Sequence, residues 1–200
     1  MKINSNLCLV NVLKKTLGFL LLLTLSFAVA AIETDHSGQL NYSRIVAQYD
    51  IPDLKVTRLD GKEVRLLDEL NDGRPIIINF IFTSCSAICP MLSQVFMHLQ
   101  NKLADQKIKA HLISVSIDPE NDTPKLLAEY AKKFKAGPDW SFYTGSLEAS
   151  IVIQKAFNVY RGDKMNHASV VIVRTNPDKD WLRIEGFIDP DSIIYEIHSN

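Results

Sequence analysis

The stretch IIINFIFTSCSAICPM, residues 76–91, joins a nearly continuous apolar run to two cysteines four apart and a proline. Bounded upstream by Arg74-Pro75, the run IIINFIF (76–82) predicts a strand covered on both faces, as in the centre of a parallel sheet. Downstream, Leu92, Val95, Phe96, Leu99 and Leu103 fall at helical spacing, and Pro90 suits a first turn. Cys85 and Cys89 therefore lie where a buried strand hands over to a helix.

Outward from this point the pattern alternates. HLISVSI (111–117) predicts a second strand, followed by DPENDTP, in which Thr123 and Pro124 read as the N-cap and first residue of a helix reaching about Phe134. WSFYT (140–144) is a short strand, and Ser146 caps a helix over LEASIVIQKAF. ASVVIV (168–173) and WLRIEGF (181–187) flank an Asn-Pro-Asp turn, and SIIYEIH is a closing helix. Ahead of the first buried strand, LKVTRLDGKEVRLL is a hairpin about Asp60-Gly61. Strands alternating with helices predict an α/β sandwich with a mixed sheet and an added N-terminal hairpin.

The first thirty residues hold three of the 22 basic residues and none of the 23 acidic ones, and they run from a basic segment through TLGFLLLLTLSFAVA to Ala28-Val29-Ala30. Basic, then apolar, then small residues describe a signal peptide over 1–30, with an uncleaved N-terminal anchor as the alternative. Either reading places the remainder outside the cytoplasm, in the periplasm or on the outer face of the inner membrane. Residues 31–52 are mixed and polar and read as a mobile leader, leaving 53–200 as one domain. Without its first thirty residues the chain is acidic and shows no basic run, which excludes nucleic acid as a partner.

Cys8 departs with the signal, so the mature chain keeps Cys85 and Cys89 alone. A helix N-terminus favours a thiolate, which suits this pair to reactivity. Three readings stand: a soft-metal grip, a redox dithiol, or a structural disulfide. The last closes so short a loop that it constrains the unfolded chain little.

A metal site needs a third ligand, and imidazole with thiolate suits copper or zinc. His36 lies in the leader, His198 near the C-terminus, and His98 about 13 Å along the helix from Cys89. His111 opens its strand at the end away from the cysteines. His167, in a loop before ASVVIV, remains, with Met165 beside it as a soft side chain and candidate weak extra ligand that reads more simply as a loop or packing methionine. Asp118, Glu120, Asp122 and Glu129 mimic some calcium-loop positions, but Thr123 occupies the obligatory glycine. Asp118, at a strand's carboxyl end, is placed to orient His167 or face a partner.

TSCSAICP, SIDPENDTP and the histidine of NHAS resemble the SCO/SenC family of copper chaperones in order, spacing and flanking text, over roughly residues 53–190. The resemblance implies a thioredoxin-like fold and copper held by Cys85, Cys89 and His167, with Asp118 beside the site. It implies Cu(I) as cargo, with Cu(II) as a further state, and as partner the copper-centre subunit of cytochrome c oxidase or another periplasmic copper acceptor. A thiol reductant protein is a second partner, and the membrane is reached only through an uncleaved N-terminal segment. RGDKMN, between Tyr160 and His167, is shorter than the family's usual insertion, and Ser86 stands where a proline is usual. A thiol-disulfide oxidoreductase acting on a copper-site protein is the alternative from another class. A peroxidase on the same fold shares the leading hairpin and has no other residue in its favour.

Overall fold

A computed structural model describes residues 42–199; the expected signal segment, Cys8 and His36 lie outside them. Among the described residues, eight strands form one mixed sheet in the order β1-β8-β7-β4-β5-β6-β2-β3. They are β1 (Tyr42–Ala47), β2 (Lys55–Arg58), β3 (Glu63–Arg65), β4 (Ile76–Ile81), β5 (His111–Ser116), β6 (Trp140–Thr144), β7 (Val170–Arg174) and β8 (Trp181–Gly186). The helices are α1 (Leu66–Leu70), α2 (Ile88–Asp105), α3 (Pro124–Lys133), α4 (Leu147–Ala156) and α5 (Pro190–Ser199).

At the centre, β4 and β5 run parallel, and every residue of both is buried. That burial explains their unbroken apolar text, since helices cover both faces. On one face Trp140 and Phe142 meet Phe96 of α2 and Tyr130 of α3. On the other, Tyr143 donates to Glu69 of α1, and Phe80 packs on Phe157 at the end of α4. Thr123 and Ser146 cap α3 and α4 through Leu126 N–H and Ala149 N–H. Gly61 holds φ at +84°, the left-handed turn conformation that the β2–β3 hairpin needs.

Two stretches differ from the sequence expectation. The mobile leader expected over 31–52 contains strand β1, whose six residues all pair with β8. YSRIVA is rich in strand formers, but as an edge strand exposed on both faces it shows no buried alternation to read. The hairpin's second arm also stops at Arg65. From there Leu66 and Leu70, one helical turn apart and both buried, draw the chain into α1.

At the amino ends of the central strands sits a polar network. His111, 3% exposed, contacts Asp72 through Nδ1 at 2.8 Å and Ser141 through Nε2 at 2.9 Å. Arg74 ties Asp72 to Asp139. Burial, and then the Arg74 charge, hold the His111 imidazole below its ordinary value of 6.5 despite the opposing pull of Asp72. The depressed group stabilises the fold fully above pH ~6.5, and that contribution is lost as pH falls and the unfolded chain takes up the proton first. The urea midpoint should thus drop between pH 7.5 and 5. A His111→Gln variant, compared at both pH values, should show a smaller drop; an unchanged drop would assign the effect elsewhere.

Candidate metal centre

β4 carries the chain to Phe82 at the carboxyl edge of the sheet. The link to α2 begins with Thr83, whose N–H and hydroxyl both donate to Asp122, the hydroxyl at 2.6 Å. Ser116 at the end of β5 donates to the other carboxylate oxygen, also at 2.6 Å. Asp122 is fully buried and clamps the ends of two parallel strands to the cysteine loop.

Cys85 N–H then donates to the Phe82 carbonyl, closing a turn that aims Cys85 Sγ at the start of α2. No side-chain oxygen caps this helix. The sulfur does so instead, accepting Cys89 N–H at 3.5 Å. Burial pushes the Cys85 thiol up, but the N–H groups of Cys89, Ala87 and Ile88 and the Cys89 side chain outweigh it, leaving the thiol below its ordinary value. The cause is the helix N-terminus, whose free N–H groups favour a negative sulfur. Cys89, one turn on, is buried in the core and its thiol is pushed up, first by that burial and then by Cys85 beside it.

The third side chain arrives from a 3-10 turn, Lys164–Asn166, whose Asp163 cap accepts Met165 N–H at 2.9 Å. His167 Nδ1 lies 2.8 Å from the Lys164 carbonyl. A carbonyl only accepts, so Nδ1 carries a hydrogen, which leaves Nε2, 3.3 Å from Cys89 Sγ, as the nitrogen placed to ligate. The Phe82 ring packs edge-on to the imidazole at 5.1 Å. Sγ of Cys85, Sγ of Cys89 and one ring nitrogen of His167 all lie within 4.8 Å of one another, and they are the one such group of His, Cys, Asp or Glu among the described residues. Two sulfurs and an imidazole nitrogen are a donor set for a soft or borderline cation, and the partly exposed Cys85 and His167 leave a side open to solvent.

The structure therefore brings Cys85, Cys89 and His167 together. Asp118 does not touch the imidazole. It grips Lys164 Nζ at 2.5 Å and accepts from Asn121 Nδ2, so it steadies the turn whose carbonyl orients His167. Met165, 70% exposed, is a loop methionine and not a packing one. His98 and His111 fall outside the group, as their positions in the chain predict. Sequence reasoning missed Asp122 and Thr83, because one more acid in DPENDTP gives no sign that it is the buried one.

A family model described as SCO1/SenC matches residues 53–198. The chain is 38% identical over 104 residues to the SCO1 protein homolog of Bacillus subtilis, a match covering 52% of this chain and 53% of that protein. It therefore spans about half the length of that relative. Among solved structures, BsSco, described as a member of the Sco family of cytochrome c oxidase assembly proteins with a disulfide switch, superposes with a TM-score of 0.65 at 31% identity, covering 78% of this chain and 95% of that one. ScoI of Arabidopsis thaliana with copper bound gives a TM-score of 0.62 at 26% identity, covering 74% and 98%.

Proposed function

The chain belongs to the SCO1/SenC family, and from that premise we propose that it is an extracytoplasmic copper chaperone holding copper through Cys85, Cys89 and His167. The observation that carries the reading is the convergence of two thiol sulfurs and one imidazole nitrogen within 4.8 Å. The acceptor is the copper centre of cytochrome c oxidase or a similar copper protein, met in the periplasm or at the outer face of the inner membrane. Thiolates select Cu(I), and the nitrogen ligand makes the same site tolerant of Cu(II). Cys85, its thiol held below the ordinary value, is the more readily ionised of the two sulfurs. Cys89 gives up its proton when metal arrives, so its high proton affinity sets a pH-dependent threshold for loading. Release proceeds by ligand exchange, with the acceptor's donors approaching from the side of Cys85 and His167.

Titration of the reduced protein should give one Cu(I) per chain. His167→Ala should keep Cu(I) but weaken it by at least the ~10–100-fold typical of losing an outer partner, and should weaken Cu(II) more. Equal affinity in parent and variant would remove His167 from the ligand set.

The asymmetry of the cysteines favours a second use of the same atoms, reduction of a disulfide in the acceptor. Cys85, partly exposed and lowered, would attack the partner's disulfide, and buried Cys89 would resolve the mixed disulfide. Cys89→Ser should then trap the partner covalently, and the activity should survive His167→Ala. A reductase activity lost with the histidine would reject this second use.

A further inference from the structure

At the amino edge of the sheet, away from the cysteines, the C-terminal ends of α2 and α3 and the start of β5 enclose a groove of about 570 Å³. Leu103 and Leu112 are buried beneath it, and half-buried Ile108 with exposed Ala104 and Pro138 give it apolar sides. Gln100 of α2 ties the walls together. Its Oε1 accepts Gly137 N–H at 2.9 Å, and its Nε2 donates to the Lys135 carbonyl at 2.8 Å. The groove is thus preformed, and its size falls within the ~300–1,000 Å³ range of small-molecule sites.

Three lysines line this apolar groove: Lys107, Lys109 and Lys135, all exposed and all without an ion pair among the described residues. Asp139, a carboxylate in the same lining, is already held by Arg74 at 2.6 Å. A lysine near a helix C-terminus ordinarily complements the exposed carbonyls there. Here each helix closes on itself, with Ile108 N–H donating to the Leu103 carbonyl at 2.8 Å and Ala136 N–H to the Ala131 carbonyl at 2.9 Å. Lys107 and Lys135 hold the left-handed position just after each helix, at φ +58° and +53°. Glycine or asparagine is the usual choice there, and α4 has Asn158 at the same place, at φ +54°. Lys109 lies beyond any cap. Helix capping therefore does not account for three lysines around one apolar groove.

We propose that this groove binds an amphipathic organic anion, with the acidic group met by Lys107, Lys109 and Lys135 and the apolar chain laid along Ile108 and Ala104. The lysine stems extend the apolar walls while their ammonium groups stay at the rim, the arrangement such a ligand needs. A flat bilayer does not reach between two helix ends, so the occupant is a single molecule and not a membrane surface. The described chain starts at Tyr42, which pairs with Gly186 at the carboxyl edge, and β8, β7 and β4 separate it from β5. Its entry into the domain is therefore at the other end of the sheet from the groove. Cys85, Cys89 and His167 lie at that carboxyl edge too, so the site is independent of the copper reading.

The test is calorimetric titration of the full-length, reduced, metal-free protein with decanoate held below its micelle-forming concentration. Saturable binding of one decanoate per chain is expected. A variant combining Lys107→Asn, Lys109→Gln and Lys135→Asn should bind at least ~tenfold more weakly, while asparagine at the two left-handed positions keeps the fold. Ala104→Trp, which fills the groove, should have a similar effect, and Lys125→Gln at the other end of α3 should have none. Decyltrimethylammonium, of the same chain length and opposite charge, should not bind, and salt should weaken the decanoate affinity. No saturable uptake by the full-length protein overturns the proposal, as does equal affinity in the neutral variant or equal binding of the cationic amphiphile. Association with phosphatidylglycerol vesicles without binding of free decanoate also overturns it, and would make this edge a membrane contact instead.

Discussion

Replacing either Cys85 or Cys89 by serine is expected to abolish stoichiometric copper binding, with affinity for Cu(I) falling by on the order of a thousandfold or more, about 4 kcal/mol. Serine nearly matches cysteine in size, so neither change removes a buried contact large enough to unfold the domain. At position 89 the hydroxyl can still donate to His167 Nε2, which keeps the local hydrogen bond. What is lost is the soft sulfur. A hydroxyl does not ionise in the working pH range, and the remaining thiolate and imidazole form a two-donor site that a chelator strips readily. Competition for Cu(I) against a chromogenic chelator measures this directly, with circular dichroism as the check on folding. In both variants the helix start is kept: at position 85 the serine oxygen can accept Cys89 N–H in place of the sulfur, and Cys89→Ser leaves that cap untouched. A folded Cys85→Ser protein binding copper as tightly as the parent would exclude a two-sulfur site.

The parts of the molecule that repeat a simple rule were legible in the sequence. β4, β5 and α2 follow from the unbroken apolar runs and the helical spacing after Cys89, and with them the placement of both cysteines at a helix N-terminus. Thr123 and Ser146 announced their helices because capping is a local interaction. His167 was narrower: its nearness to Cys89 depends on β7 lying beside β4, which no local pattern states. β1 stayed hidden because an edge strand exposed on both faces carries no burial signal. Asp118 was expected to orient His167 or face a partner; that it does so through Lys164 was not legible, since which neighbour a carboxylate reaches is set by the path of the Lys164–Asn166 turn.

Asp122 lies wholly beyond local reading, and its removal should have the largest effect on the fold near the site. Its carboxylate accepts Thr83 N–H, Thr83 Oγ1–H and Ser116 Oγ–H inside the protein. Asp122→Ala would leave the buried Ser116 hydroxyl and the two partly buried Thr83 donors without that acceptor. Each unsatisfied buried donor costs about 1–3 kcal/mol before relaxation or water entry, so a total loss of roughly 3–5 kcal/mol is expected. Urea denaturation of the metal-free protein gives that figure as a lower midpoint at unchanged slope. The loss should reach the metal as well, because Thr83 anchors the loop that presents Cys85: copper should bind more weakly although all three ligands remain. Asp122→Asn separates shape from hydrogen bonding. The amide fills the same space but turns one acceptor into a donor facing a hydroxyl, so its stability should fall between parent and alanine. If the alanine variant were as stable as the parent and held copper equally well, the clamp between β4, β5 and the cysteine loop would have no mechanical role, and the placement of Cys85 would rest on the Phe82 turn alone.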